Sequence, residues 1–155
     1  MKKRIGWFTF TCCEDSTIIF TELLNTYYKQ WRNVLEFVHA RVLRKNEASD
    51  IQPMDIAFVE GAISSDTQEA KLKKIREKAR VLVAIGSCAV IGSPSNQRNF
   101  FTRENLNEIR PILEHFKYKE KVLKLADVVT VDDVVPGCPM DEKIFLTILN
   151  KYLYA

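Results

Sequence analysis

No stretch of this 155-residue sequence approaches the roughly 20 consecutive apolar residues that a membrane-spanning helix needs. The basic start "MKKR" precedes only "IGWFTF", too short for the apolar core of a secretory leader, and no small-residue cleavage site or twin-arginine pair accompanies it. The sequence holds no G-x-S-x-G, no Gly-rich phosphate loop, no G-x-G-x-x-G and no histidine cluster, so an independent catalytic site is not expected. Net charge is also small. Twenty-three Lys and Arg against twenty Asp and Glu leave +3, too little to argue for nucleic acid or an anionic membrane surface. The basic run "KLKKIREKAR" has no interleaved aromatics and reads as a solvated helix face. No repeat, low-complexity tract or linker divides the chain, and 46% apolar content suits one soluble domain spanning 1–155. On these features a cytoplasmic location is expected.

There are only four cysteines, and two of them are adjacent, in "TFTCCEDS". In a reducing compartment they read as metal ligands or free thiols before disulfides, and neighbours on one backbone bridge each other poorly.

Short apolar runs alternate with helical patterns along the chain. Strands are expected at 4–10, 37–43, 54–61, 80–87 and within 128–136. Helices are expected from Ser16 as N-cap, from Asp66 with Glu69 closing a capping box, from 102 to 115 with Pro111 kinking or dividing it, and from 140 to 153. Polar, turn-rich stretches at 44–53 and 92–100 are the expected mobile segments. The alternation predicts an α/β fold, a mainly parallel sheet with helices on both faces. Such sheets bind ligands beyond the carboxyl ends of their strands. Cys12 and Cys13, Cys88 and Cys138 each fall just past such an end.

Converging thiolates hold zinc or iron–sulfur clusters. A structural zinc usually comes with C-x2-C knuckles, which are missing, and a domain of this size needs no staple. A cubane cluster takes one thiolate at each of four irons, so its ligands can come from separate loops. "GSCA" and "PGCP" set single cysteines among small or stiff residues that let backbone approach closely. The plainer reading is core packing, since a lone Cys88 after a strand is more often buried than ligating.

"DIAFVEGAI", "VLVAIGSCAVIGSPSNQRN" and "VDDVVPGCPMDEKI" resemble, in order and content, the small electron-transfer subunit of nickel–iron hydrogenases, above all the delta-type subunit of cytoplasmic sulfhydrogenases. The same segments are similar to the 20-kDa subunit of respiratory complex I. The resemblance implies a flavodoxin-like three-layer fold and one proximal 4Fe–4S cluster beside a large subunit that supplies the nickel–iron site. Cys13, Cys88 and Cys138 match the second, third and fourth ligands. The first departs: hydrogenase small subunits show C-x-x-C, which would put cysteine at Phe10, whereas here the partner is Cys12, the tandem pattern of complex I. Met140 stands where the family commonly has proline, a change expected to matter little. No cysteine follows Cys138, so one cluster is expected, with electrons leaving through further subunits and any membrane association made through partners.

Three other residues carry two readings each. Glu60 in "VEGAI" suits a proton relay at the large-subunit interface, or a capping carboxylate. Asp15 suits that interface, or the first turn of a helix. Arg98 in "SNQRN" suits a loop near the cluster, or plain surface. His39 and His115 are read as structural or surface residues. The alternatives to a hydrogenase subunit are the equivalent subunit of a quinone oxidoreductase and a non-redox metal-binding scaffold.

Overall fold

A computed structural model describes residues 1–43 and 50–154. The chain runs β1 (Lys3–Thr9), α1 (Asp15–Val34), β2 (Leu35–Ala40), β3 (Met54–Glu60), β4 (Ile63–Ser65), α2 (Asp66–Lys78), β5 (Ala79–Ile85), α3 (Gly86–Ile91), α4 (Arg103–His115), β6 (Tyr118–Leu123), β7 (Asp133–Val135) and α5 (Glu142–Leu153). Short 3-10 turns cover Gln97–Phe100 and Leu125–Asp127. Five strands pair in the order β2-β1-β3-β5-β7, every neighbour parallel. Counted in chain order, this is the strand sequence of flavodoxin-like domains, with its switch point between β1 and β3.

The period of two along each strand builds two cores. Ile5, Trp7, Ile56, Phe58, Val83 and Ile85 face Phe20, Leu23 and Trp31 of α1 and Phe145 and Leu149 of α5. Their alternates Phe8, Ala57, Val59, Leu82 and Ala84 face Leu72 and Ile75 of α2. The Trp7 indole stacks on Phe20 at 4.1 Å and 5°. Helices therefore cover both faces, as the alternation of elements implies.

Several local expectations are corrected. Ser16 does not cap α1. Glu14 takes that place with a left-handed φ of 65°, and Ser16 lies buried inside the first turn. Asp66 does not cap α2 either. The Ser65 hydroxyl accepts the Gln68 N–H at 3.2 Å, while Glu69 reaches sideways to Lys73 and Lys119. Helix α4 runs undivided through Pro111, because the face that loses a hydrogen bond there is exposed and water can serve it. Strand β2 starts and stops earlier than its apolar pattern suggests, with 41–43 forming a turn. Of the two expected mobile segments, 44–49 lies outside the described residues. The 92–100 segment is tied down: Asn99 exchanges side-chain hydrogen bonds with the Val122 backbone at 2.7 and 2.8 Å, and Arg98 donates to the Lys119 carbonyl at 2.9 Å.

Candidate metal centre

The carboxyl ends of β1, β3, β5 and β7 open into one cleft. Its walls include Cys12, Cys13, Asp15, Glu60, Gly86, Cys88, Gly137 and Cys138. All four cysteines are thus brought to one rim from three strand ends, and none is in a disulfide. Cys88 is only 7% exposed and touches Ala62 and Val122, so the core-packing reading describes its back side, while its other side forms the cleft floor. Cys13 and Cys138 are exposed and Cys12 lies between these extremes.

Three loops make the rim, and each is fastened to the next. The β1 end is stitched to the β3 end by Phe10 N–H to Glu60 O at 2.8 Å and by paired Thr11–Ala62 backbone bonds of 3.0 and 2.9 Å. Gly61 sits at φ 93° between them, where a Cβ would stand 2.8 Å from the Phe10 carbonyl carbon. The loop carrying Cys88 meets the loop carrying Cys138 through Ser87 N–H to Gly137 O at 2.7 Å. The latter loop then meets α1, because Met140 N–H donates to Ser16 Oγ at 3.2 Å. A proline at 140 has no N–H to give, so Met140 matters more than the sequence suggests. Gly137 is the tightest point: at φ 116° an added Cβ would sit 2.4 Å from the Pro139 carbonyl oxygen.

Beneath this rim Glu60 is 3% exposed. Its oxygens accept Ser16 N–H at 3.1 Å and the Thr17 hydroxyl at 2.6 Å, and Thr17 in turn accepts the Trp7 indole N–H at 2.8 Å. Burial holds the Glu60 carboxyl above the usual carboxylate range in spite of these donors. Burial, with help from Glu60, also pushes the Cys12 thiol up to about 12, against the pull of the Glu14 backbone N–H. At Cys13 the Asp15 N–H pulls the thiol down, but partial burial and the Asp15 carboxylate outweigh it and the net direction is up.

The structure brings Cys12, Cys13, Cys88, Cys138, Asp15 and Glu60 together. Arg98 is not among the cleft residues. It donates to the carbonyls of Lys119 and Glu120, and its guanidinium lies 5.8 Å from the Tyr118 ring centre, so its visible work is to clamp β6. Ser95, three positions earlier and not singled out by sequence, is the member of that loop that reaches the cysteines. Its hydroxyl donates to Cys88 Sγ at 3.2 Å. Thr17, which binds Glu60, is likewise hidden inside an ordinary amphipathic helix pattern, and Ser16, expected as a cap, instead binds the Met140 loop.

Residues 12–152 match the family described as the NADH ubiquinone oxidoreductase, 20 Kd subunit. The chain belongs to this family. It is similar to the gamma chain of the coenzyme F420 hydrogenase of Methanosarcina barkeri, 34% identical over 91 residues that cover 57% of this chain and 31% of the relative. The delta subunit of sulfhydrogenase 2 from Pyrococcus furiosus is 27% identical over 156 residues, covering 95% of this chain and 61% of the relative. The chain therefore spans less than two thirds of the length of either. Among solved structures, a chain of the NAD+-reducing [NiFe]-hydrogenase in the H2-reduced state superposes with a TM-score of 0.84 at 24% identity, covering 99% of this chain and 92% of that one, which confirms the family fold. Among the described residues no helix is long and apolar enough to cross a membrane.

Proposed function

We propose that this chain is the electron-transfer subunit of a nickel–iron hydrogenase, holding one 4Fe–4S cluster on Cys12, Cys13, Cys88 and Cys138 beside a large catalytic subunit. The carrying observation is the single cleft that all four cysteines line from three separate loops. Each iron of such a cluster takes one thiolate, so four cysteines on three loops suit its four corners. When bound, such a cluster takes up and gives up one electron at a time.

The chain's own residues prepare the place. Gly86 and Gly137 line the cleft without side chains, and the Ala62–Val122 wall covers the back of Cys88. Asp15 stands at the rim, where a docked large subunit would meet it. Glu60 lies directly below, positioned to exchange a proton with Thr17 or to fix the first turn of α1. Arg98 keeps β6 in place at the side of that contact. The setting is cytoplasmic, with further electron-transfer subunits beyond this one and any membrane contact made by them.

The adjacent Cys12–Cys13 pair favours a second reading, the equivalent subunit of a quinone-reducing complex. Anaerobic purification with iron and sulfide analysis, followed by electron paramagnetic resonance after reduction, tests the cluster. About four irons per chain are expected; one zinc per chain would favour a non-redox scaffold instead. A co-purifying nickel subunit with hydrogen-dependent dye reduction selects hydrogenase, and quinone-linked activity without nickel selects the second reading. Cys12→Ser is expected to lose the cluster, and its retention would move the first ligand elsewhere.

A further inference from the structure

Ser95 has one hydroxyl proton and two acceptors. Its Oγ lies 3.2 Å from Cys88 Sγ and 3.1 Å from the Thr11 carbonyl oxygen. The Thr11 oxygen already accepts the Ala62 N–H at 2.9 Å, so it stays satisfied without the serine. Cys88 is different: its sulfur faces Ala62 and Val122 behind, and a metal-bound sulfur carries no proton and can only accept. Ser95 is also well placed to hold this position. It lies in a turn closed by Asn96 N–H to Gly92 O at 2.9 Å, and Asn99 anchors the same loop to β6.

We infer that Ser95 is a tuning residue whose hydroxyl donates to the Cys88 sulfur and raises the reduction potential of the cluster. This rests on the cluster assignment above. The physical reason is that reduction adds negative charge, part of which resides on the ligand sulfurs, and a donor aimed at one of them stabilises the reduced form more than the oxidised form. At Cys88 the donor is a side chain, so the potential is adjustable at position 95 by a single residue change.

The test compares the wild-type complex, purified anaerobically, with Ser95→Ala and Ser95→Thr. Iron content is measured first. A wild type without about four irons per chain defeats the cluster assignment and is thereby told apart from a failure at Ser95. With iron present, a redox titration followed by electron paramagnetic resonance is expected to show Ser95→Ala harder to reduce. The oxidised-to-reduced ratio at fixed potential should shift several-fold, where a tenfold shift is about 59 mV for one electron. Ser95→Thr, which keeps the hydroxyl, should stay near wild type. Pulsed resonance after exchange into D2O should show a deuteron coupled to the cluster that Ser95→Ala lacks. An unchanged or raised potential in Ser95→Ala overturns the inference. So does loss of iron from Ser95→Ala alone, which would make Ser95 a loop-holding residue.

Discussion

Glu60 ends β3 with both oxygens occupied by donors from the first turn of α1. Truncating it strands the Ser16 N–H and the Thr17 hydroxyl in a buried site and leaves a void. Glu60→Ala should therefore lower unfolding free energy by about 2–4 kcal/mol, read from urea denaturation. Glu60→Gln keeps one acceptor but turns an amide N–H2 toward a Thr17 oxygen that already accepts from Trp7, so roughly half that loss is expected. Equal losses would mean that the carboxylate's charge, not its acceptors, holds the turn. Gly137 and Gly86 differ in the same concrete way. Both have positive φ, but an added Cβ meets a backbone oxygen at 2.4 Å in the first case and a serine side-chain oxygen at 3.0 Å in the second. A side-chain oxygen can move and a carbonyl on the adjoining turn cannot. Gly137→Ala should thus cost more than Gly86→Ala, upward of about 2 kcal/mol against about 1, and should also release iron more readily. Thermal unfolding with iron analysis of both variants checks the order.

At the scale of elements, the parallel sheet could be read from the sequence because its strands are short, β-branched and apolar on both sides, as "VLVAI" shows. The cysteines' places followed from the ends of those runs, without knowledge of any distance. The β4–β6 pair was not legible. Strand β4 has three residues, and β6, "YKEKVL", carries three charges in six positions, so neither shows a strand period. What makes them a ladder is non-local: antiparallel pairing across the whole α2–β5–α4 stretch and the Arg98 and Asn99 clamps. Helix starts failed for a related reason. Ser65 and Asp66 are both good capping residues side by side, and only the backbone decides between them. Since Ser65 does the capping, Ser65→Ala should cost about 1 kcal/mol. Asp66→Ala, which gives up an ion pair with Lys119 from a carboxylate 90% exposed, should change stability by less than about 0.5 kcal/mol. Chemical denaturation of the two variants in parallel separates them, and a larger loss at Asp66 would reinstate the capping box.

For the whole molecule, the fold sorts four like residues into unlike positions on one rim. Cys13 and Cys138 stand outward, Cys12 is half-covered with its thiol pushed up to about 12, and Cys88 forms the floor. Thiol alkylation depends on exposure and on the fraction present as thiolate. In the metal-free chain near neutral pH, Cys13 and Cys138 should therefore react first, and Cys12 and Cys88 more slowly by upward of about tenfold. The order follows from the fold alone and holds whatever the cleft binds. Cluster loading adds a second and separate expectation, because a sulfur bonded to iron is no longer a free nucleophile. All four cysteines should then be protected together, the two outward ones included, although nothing in the protein itself covers them. Mass spectrometry of peptides alkylated before and after anaerobic loading reads each site individually. Protection of Cys13, Cys88 and Cys138 with Cys12 left at its metal-free rate would remove the tandem pair from the ligand set. Continued rapid labelling of Cys138 would break the convergence of the three loops on one cluster.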